Sequence, residues 1–413
     1  MPSPAPPAPG STPPTMRYGA ARCDITPPAG TRFGGFWEER PEPALGAHDP
    51  LWACALVVEG EDASAAALVS LDLQLISRPA VEEIRARVRA ATGIAPERVL
   101  VHATHDHAAP GGHWSEAFVP GAGDAFADPP VAEQIVTGAA RAVENAWRAL
   151  TPGSLRCAQG EVAGIGRYRH APDGPPTSPA AVVRLGPASG RTAAVVASYG
   201  CHASVLGPDN LWFSADYPGA VRARLAAAFG AEEALFFNAP AADVSTRHTR
   251  RAQTFGEVER LGARLAGELA ALGERASPLS VPGVKAQVGE VALALAPAAE
   301  ADGLYARLRA RLPGDRVGLR LQLLALGDLW VLGVEAEVGH ALGRDLLAVL
   351  RAAGARAAFV VAPAGGSVGN VPSPLFSPDA GLRLVEGART LAAGVSAPLA
   401  HRDGGAGGGE AGR

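Results

Sequence analysis

Hydrophobic residues in this chain fall into short apolar runs separated by longer amphipathic stretches. Trp52 to Glu59, Ala66 to Leu73 and Val99 to Ala103 are apolar at almost every position, the pattern of strands covered on both faces. The same pattern predicts strands at Ala181 to Leu185, Ala193 to Tyr199, Ala234 to Phe237, Leu319 to Leu326, Leu329 to Val334 and Ala357 to Val361. Between them, Ala-, Leu- and Arg-rich segments predict helices at 80–91, with Ile84 and Val88 inward, and at 131–150, 218–229, 254–272, 339–351 and 378–392. Asp216 is placed to cap the 218–229 helix, with Pro218 in its first turn. No period of 20 to 50 residues repeats, and residues 16–400 contain no linker. The expected fold is therefore α/β, with mixed β-sheets covered by helices in a single large domain and a metal site at strand ends.

The two ends read differently. Residues 1–15 hold seven Pro, predicting a disordered arm, and residues 401–413 form a Gly-rich tail predicted to be disordered. Met16 is a candidate start codon. The arm has neither a cationic region nor an apolar one, so a cytoplasmic location is expected. The longest uncharged stretch, Ala357 to Pro378, is broken by four Pro and three Gly and is not expected to span a membrane. With 37 Lys and Arg against 41 Asp and Glu, the net charge is -4, which argues against nucleic acid as a partner. The four cysteines, at 23, 54, 157 and 201, form no C-x-x-C pair and are expected to be reduced. Oligomeric state is not legible.

Of ten His, four fall in VHATHDHAAPGGHW, directly after the predicted strand at Val99: His102, His105, His107 and His113. If the backbone is extended there, His105 and His107 point the same way and suit a Zn2+ ion. Surface or hydrogen-bonded His in a Gly-rich loop is the alternative. Three more strand ends carry chemistry. His202 follows Tyr199 beside Cys201, whose thiol is either a supporting group or core packing. Glu335 and Glu337 follow Val334, and burial of a carboxylate there is costly without a cation. Asn238, Asp243 and Ser245 follow Phe237 in a turn of small residues that admits a ligand. No G-x-x-x-x-G-K or H-E-x-x-H motif occurs, and four strand ends carrying His, His, Glu and Ser suit a zinc hydrolase better than a serine hydrolase. The metallo-β-lactamase motif fails because Ala109 and Pro110 stand after the second His.

With these residues in place, the chain resembles the catalytic domain of the neutral (non-lysosomal) ceramidase family, whose T-H-T-H-S-G-P-G-G compares with Thr104 to Gly112 here. RYGAARCDITPPAG, GAHDPLWACALVVEG and LVSLDLQLI resemble the family's opening. The resemblance implies that His105 and His202 are the zinc His, that Glu337 in GVEAE is the carboxylate ligand with Glu335 where Pro is usual, and that His107 is the neighbouring active-site His. It also implies a role for Ser245 in ADVS, and a substrate-contacting Arg at Arg167 or Arg169 in IGRYR. The family's Y-V-T-T and Y-E-G tyrosines are missing from GGSVGNVPSPLFSPDAGLRLVEG, where Asn370 and Val385 stand roughly in their places, and the family's C-terminal β-sandwich has no counterpart.

The function this implies is zinc-dependent hydrolysis of a linear amide, N-acylsphingosine or a related N-acyl amine, by zinc-activated water. Ser245 and His107 would orient water or stabilise the oxyanion, and His107 or Glu335 would protonate the leaving amine. Two alternatives accompany it: a metal-dependent amidase or esterase acting on a smaller soluble substrate, and a non-catalytic relative that binds a lipid or metabolite.

Overall fold

The computed structural model describes residues 15–36, 40–110, 128–171, 173–174, 177–187, 189–297, 306, 309–310, 312 and 314–396. Residues 1–14 of the predicted arm, the tail and His113 lie outside them. Among the described residues, twelve longer strands and six helices form a single α/β fold in which one order of elements, β-β-β-α-β-α, occurs three times. The first unit is β1 (Arg17–Asp24), β2 (Trp52–Glu59), β3 (Ala65–Leu71), α1 (Arg78–Thr92), β4 (Val99–Ala103) and α2 (Pro129–Arg148). The second is β5 (Ser154–Ala163), β6 (Thr177–Gly186), β7 (Ala194–Tyr199), α3 (Asp216–Phe229), β8 (Glu233–Asn238) and α4 (Phe255–Gly273). The third is β9 (Val284–Ala294), β10 (Arg316–Leu326), β11 (Leu329–Val334), α5 (His340–Ala352), β12 (Ala357–Val361) and α6 (Ala380–Ser396).

Each unit makes one mixed sheet. Its third strand pairs antiparallel with the second and parallel with the fourth, which it reaches through a helix: Val69 lies opposite Val101, Ala197 opposite Phe236, and Val331 opposite Phe359. Side-chain alternation then sends one face outward onto the unit's own helices and the other inward. In β2, Ala53, Ala55 and Val57 pack with α1 and α2, while Cys54, Leu56 and Val58 enter a core shared by all three sheets. Val195 and Ala197 against Val196, and Leu332 and Val334 against Val331, divide in the same way. Strands apolar on both faces therefore carry helices on one side and the other sheets on the second.

The strands missed by sequence pattern are β1, β5 and β9, the first of each unit. They are the more exposed strands, interrupted by Arg, Gly, Gln and Glu, so their apolar runs never reach the length of a buried strand. The predicted strand to Leu73 ends at Leu71, because Asp72 turns its carboxylate into the interior. Asp216 does not cap α3. The N-cap is Ala215, with no side-chain cap, and Asp216 sits in the first turn at φ 45°, its carboxylate accepting from Leu206 N at 3.0 Å. Among the described residues no helix is long and apolar enough to cross a membrane.

Guanidinium groups paired with buried side chains join the units. Arg222 on α3 donates from both Nη atoms to Asp72, at 2.6 and 2.5 Å, linking the second unit to the first. Arg78 on α1 grips Glu335 beyond β11 by the same two-pronged contact, with Nε to Oε1 at 2.6 Å, and Arg85 reaches Gln322 on β10 at 2.6 Å. Asp72→Ala leaves the Arg222 charge buried and unpaired, and is expected to lower unfolding free energy by roughly 3–5 kcal/mol. Urea denaturation measures this, and a loss below about 1 kcal/mol would show that the pair does not tie the units together.

Candidate metal centre and active site

The carboxyl ends of β4, β7 and β11 meet at one point, and each delivers a side chain a short turn beyond its last strand position. From β4 comes His105. The backbone there is not extended: His105 sits at φ 61°, in the left-handed region that costs a non-Gly residue about 1–3 kcal/mol, so a sharp turn rather than strand alternation aims its ring. The turn nonetheless brings the two rings together, the His105 and His107 ring centroids lying 5.0 Å apart, edge to face. His107 N donates to Ala203 O at 2.9 Å, tying this turn to the one carrying His202. The same turn is pinned from the other side by Gly35, where a Cβ would lie 2.5 Å from His107 Cα, and by Arg40, which donates to the His107 carbonyl.

From β7 comes His202, and from β11 comes Glu337. The His105 and His202 ring centroids lie 4.7 Å apart, and His105, His107 and His202 bring their nitrogens within 4.8 Å of one another. Glu337 Oε2 stands 3.2 Å from His105 Nε2 and 3.5 Å from His202 Nε2. Both rings are oriented by main-chain carbonyls: His105 Nδ1 donates to Gln74 O at 3.0 Å, and His202 Nδ1 to Ala241 O at 2.8 Å. With Nδ1 spent as donor, a neutral ring presents its Nε2 lone pair to the shared point. Burial, and then the neighbouring His105, hold the His202 imidazole below its ordinary range. Burial alone would push the Glu337 carboxyl up, but His105 and His202, when protonated, outweigh it by their charge and N–H donation and hold it well below the usual carboxylate range. Two nitrogen lone pairs and an ionised carboxylate facing one another is a donor set that a cation satisfies.

The other predicted residues divide. His107 is beside the cluster, with both ring nitrogens buried and without partners; burial, then the two neighbouring His, push it well below its ordinary range, so it is neutral. Ser245 and Arg167 lie opposite each other in a two-residue ladder that also pairs Val244 with Tyr168. Ser245 Oγ accepts from Arg247 N at 3.3 Å. Arg169, the alternative to Arg167, places Nη1 3.5 Å from His202 Nε2. Asn370 lies in parallel register with Glu337, whereas Val385 packs against the core of the third unit. Glu335 is a correction. It is fully buried, held by Arg78 and by Arg320 N at 2.9 Å, and its carboxylate is committed to closing two units together, so it is not available as a proton donor. Cys201 is core, its thiol donating to His202 O at 3.6 Å, and all four cysteines are unpaired.

Gln74 and Arg40 were not found by sequence reading, because Gln74 acts through its main-chain carbonyl and Arg40 through contacts across 67 residues of chain. His102, the first His of the cluster in sequence, faces away from it and accepts from Asn238 N at 3.1 Å.

Residues 16–177 match the family model for neutral/alkaline non-lysosomal ceramidase, N-terminal. The resemblance read from Thr104 to Gly112 therefore extends over the whole first unit and into the second. The fold likeness reaches further. A neutral ceramidase from Pseudomonas aeruginosa superposes with a TM-score of 0.75 at 18% identity, over 92% of this chain and 74% of that one. A ceramidase complexed with C2 gives 0.76 at 19% identity, over 92% and 75%. At these identities the likeness is one of fold. No curated protein sequence matches the chain.

Burial, and then the nearby His105, push the His102 imidazole from 6.5 down to about 3. The unfolded chain takes up that proton near pH 6.5 and the native state only near 3, so the stability His102 contributes is present above pH 6.5 and lost as pH falls. His102→Gln keeps an acceptor for Asn238 N but does not titrate. Its unfolding free energy is expected to fall less steeply between pH 6 and 4, by about 1.4 kcal/mol per pH unit, in urea denaturation at several pH values; equal slopes would refute the assignment.

Proposed function

We propose that the chain is a zinc-dependent hydrolase of a linear amide bond, of the ceramidase type, cleaving N-acylsphingosine or a related N-acyl amine to a fatty acid and an amine. The observation that carries this reading is the meeting of His105 Nε2, His202 Nε2 and Glu337 Oε2, with both Nδ1 atoms already spent on carbonyls. Two imidazoles and a carboxylate, with one position left over, is the donor set of catalytic zinc sites. Zn2+ bound there supplies Lewis acidity and makes water acidic enough to attack a carbonyl near neutral pH.

The chain's own residues do the rest. His107 has ring nitrogens without partners beside the cluster, so it is placed to take a proton from the attacking water and return it to the amine nitrogen as the C–N bond breaks. The water oxygen ends on the acyl carbon, giving the acid. Arg169 Nη1, against His202, and the Ser245 hydroxyl are the donors for the negative charge that develops on the carbonyl oxygen. Arg167, across the ladder from Ser245, is the substrate-contacting candidate on the same rim. Ser245 is not read as a nucleophile, since its described hydrogen bond is to a main-chain N–H and not to a base.

Elemental analysis of the wild type beside His202→Ala is expected to give about one zinc per chain, lost in the variant, with hydrolysis of N-acylsphingosine lost in parallel. No bound metal in either protein after zinc supplementation would overturn the reading. His107→Ala separates metal binding from proton transfer: zinc is retained while kcat/KM falls roughly 10²–10⁴-fold. Zinc loss in that variant would move His107 into the ligand set.

A further inference from the structure

The three units close on one another in a ring of seams. The crossing helix α1 of the first packs on the third, α3 of the second on the first, and α5 of the third on the second. At the first two seams a carboxylate one residue past a third strand, Glu335 after β11 and Asp72 after β3, takes the guanidinium of the arriving helix. The residue in that position after β7 is Gly200. The third seam lacks the buried acid, and it holds a cavity of about 320 Å³, the low end of the roughly 300–1,000 Å³ of small-molecule sites. Lining it are Ser198, His340, Arg344, Arg351, Leu347 and Phe359, and none of its lining residues belongs to the His105–His202–Glu337 cluster.

Two residues of its wall hold unspent donors. Arg344 Nε donates to His340 Nε2 at 3.0 Å, and a guanidinium has no lone pair with which to accept, so the proton of the neutral ring is on Nδ1. That Nδ1 is buried without a partner, in a residue 7% exposed. Ser198 is 2% exposed, and its Oγ is likewise buried without a partner. The His340 main-chain N is already used by Asp243 Oδ1 at 2.7 Å, so the unspent donor is the ring's own. A buried donor left unpaired is destabilising, and an acceptor on a ligand would remove that penalty. Arg344 is balanced by Glu161 at 2.6 Å, and Arg351 leaves the groove with one net positive charge.

We propose that this cavity binds a small monoanion with an apolar body, a carboxylic acid of medium chain length. Its head group accepts from Ser198 Oγ and His340 Nδ1 beside Arg344, and its chain lies along α5 against Leu347, Ala348 and Phe359. The site is independent of the hydrolase reading.

Isothermal titration of the full-length chain with octanoate tests it, with octan-1-ol as the neutral comparison. Octanoate is expected to bind with one site per chain, and octanol about tenfold or more weakly. Ala348 is exposed on α5, so Ala348→Trp fills the groove without disturbing the core, and it is expected to weaken octanoate about tenfold or more. Ser198→Ala is expected to weaken it several-fold, and His105→Ala to leave it unchanged. Absence of octanoate binding, or binding that Ala348→Trp does not alter, overturns the proposal. Loss in His105→Ala places the acid at the His cluster instead and also overturns it, and equal binding of octanol removes the monoanion assignment.

Discussion

Everything in this molecule depends on burying the inner faces of three sheets against one another. Each sheet has helices enough to cover only one side, so Leu56, Val196 and Val331 must find their cover in the neighbouring sheets. At about 25 cal/mol per Å² of apolar surface, no other contribution is large enough to hold three such units together. Shared burial also fixes which way the strands run. Once the inner faces meet, the carboxyl ends of β4, β7 and β11 are brought to one place, and whatever follows those strands is held within a few ångströms of its counterparts.

The polar features are arranged around that constraint. Where the units meet, a helix guanidinium is placed against a carboxylate just past a strand, and in the two such pairs, Arg222 with Asp72 and Arg78 with Glu335, the carboxylate is wholly removed from water. A pair of this kind contributes little net stability compared with apolar packing, but a misdocked unit would leave a charge stranded, so the pairs select one docking over others. The third seam is built differently, with Gly200 and a cavity in place of an acid. The centre itself follows the same rule on a smaller scale. Main-chain carbonyls at Gln74 and Ala241 take the outer nitrogens of His105 and His202, and the strained backbone at His105 is tolerated because the surrounding turns fix it from several sides.

Strands apolar on both faces were legible because complete burial removes the need for polar alternation, and β2, β4, β11 and β12 fall where the pattern places them. The outer strands β1, β5 and β9 were not, since partial exposure admits Arg, Gly and Glu and erases the signal. The residues His105, His202 and Glu337 were named from their places after strands together with the family resemblance, and they are found in contact. Asp216 and Glu335 were misread for a common reason: each stands where a helix cap or an acid is chemically sensible, yet each is buried against a partner from another loop or another unit.

The sequence by itself determined the α/β class, the buried strands and the identity of the chemical groups at the strand ends, because local spacing and hydrophobic pattern are properties of consecutive residues. Only the tertiary structure decided that three similar units share one core, that Glu335 closes a seam while Glu337 two residues later faces the imidazoles, and which ring nitrogens remain available. Those outcomes turn on contacts between residues far apart in the chain, and on the direction of a side chain at a turn, which no run of neighbouring residues encodes.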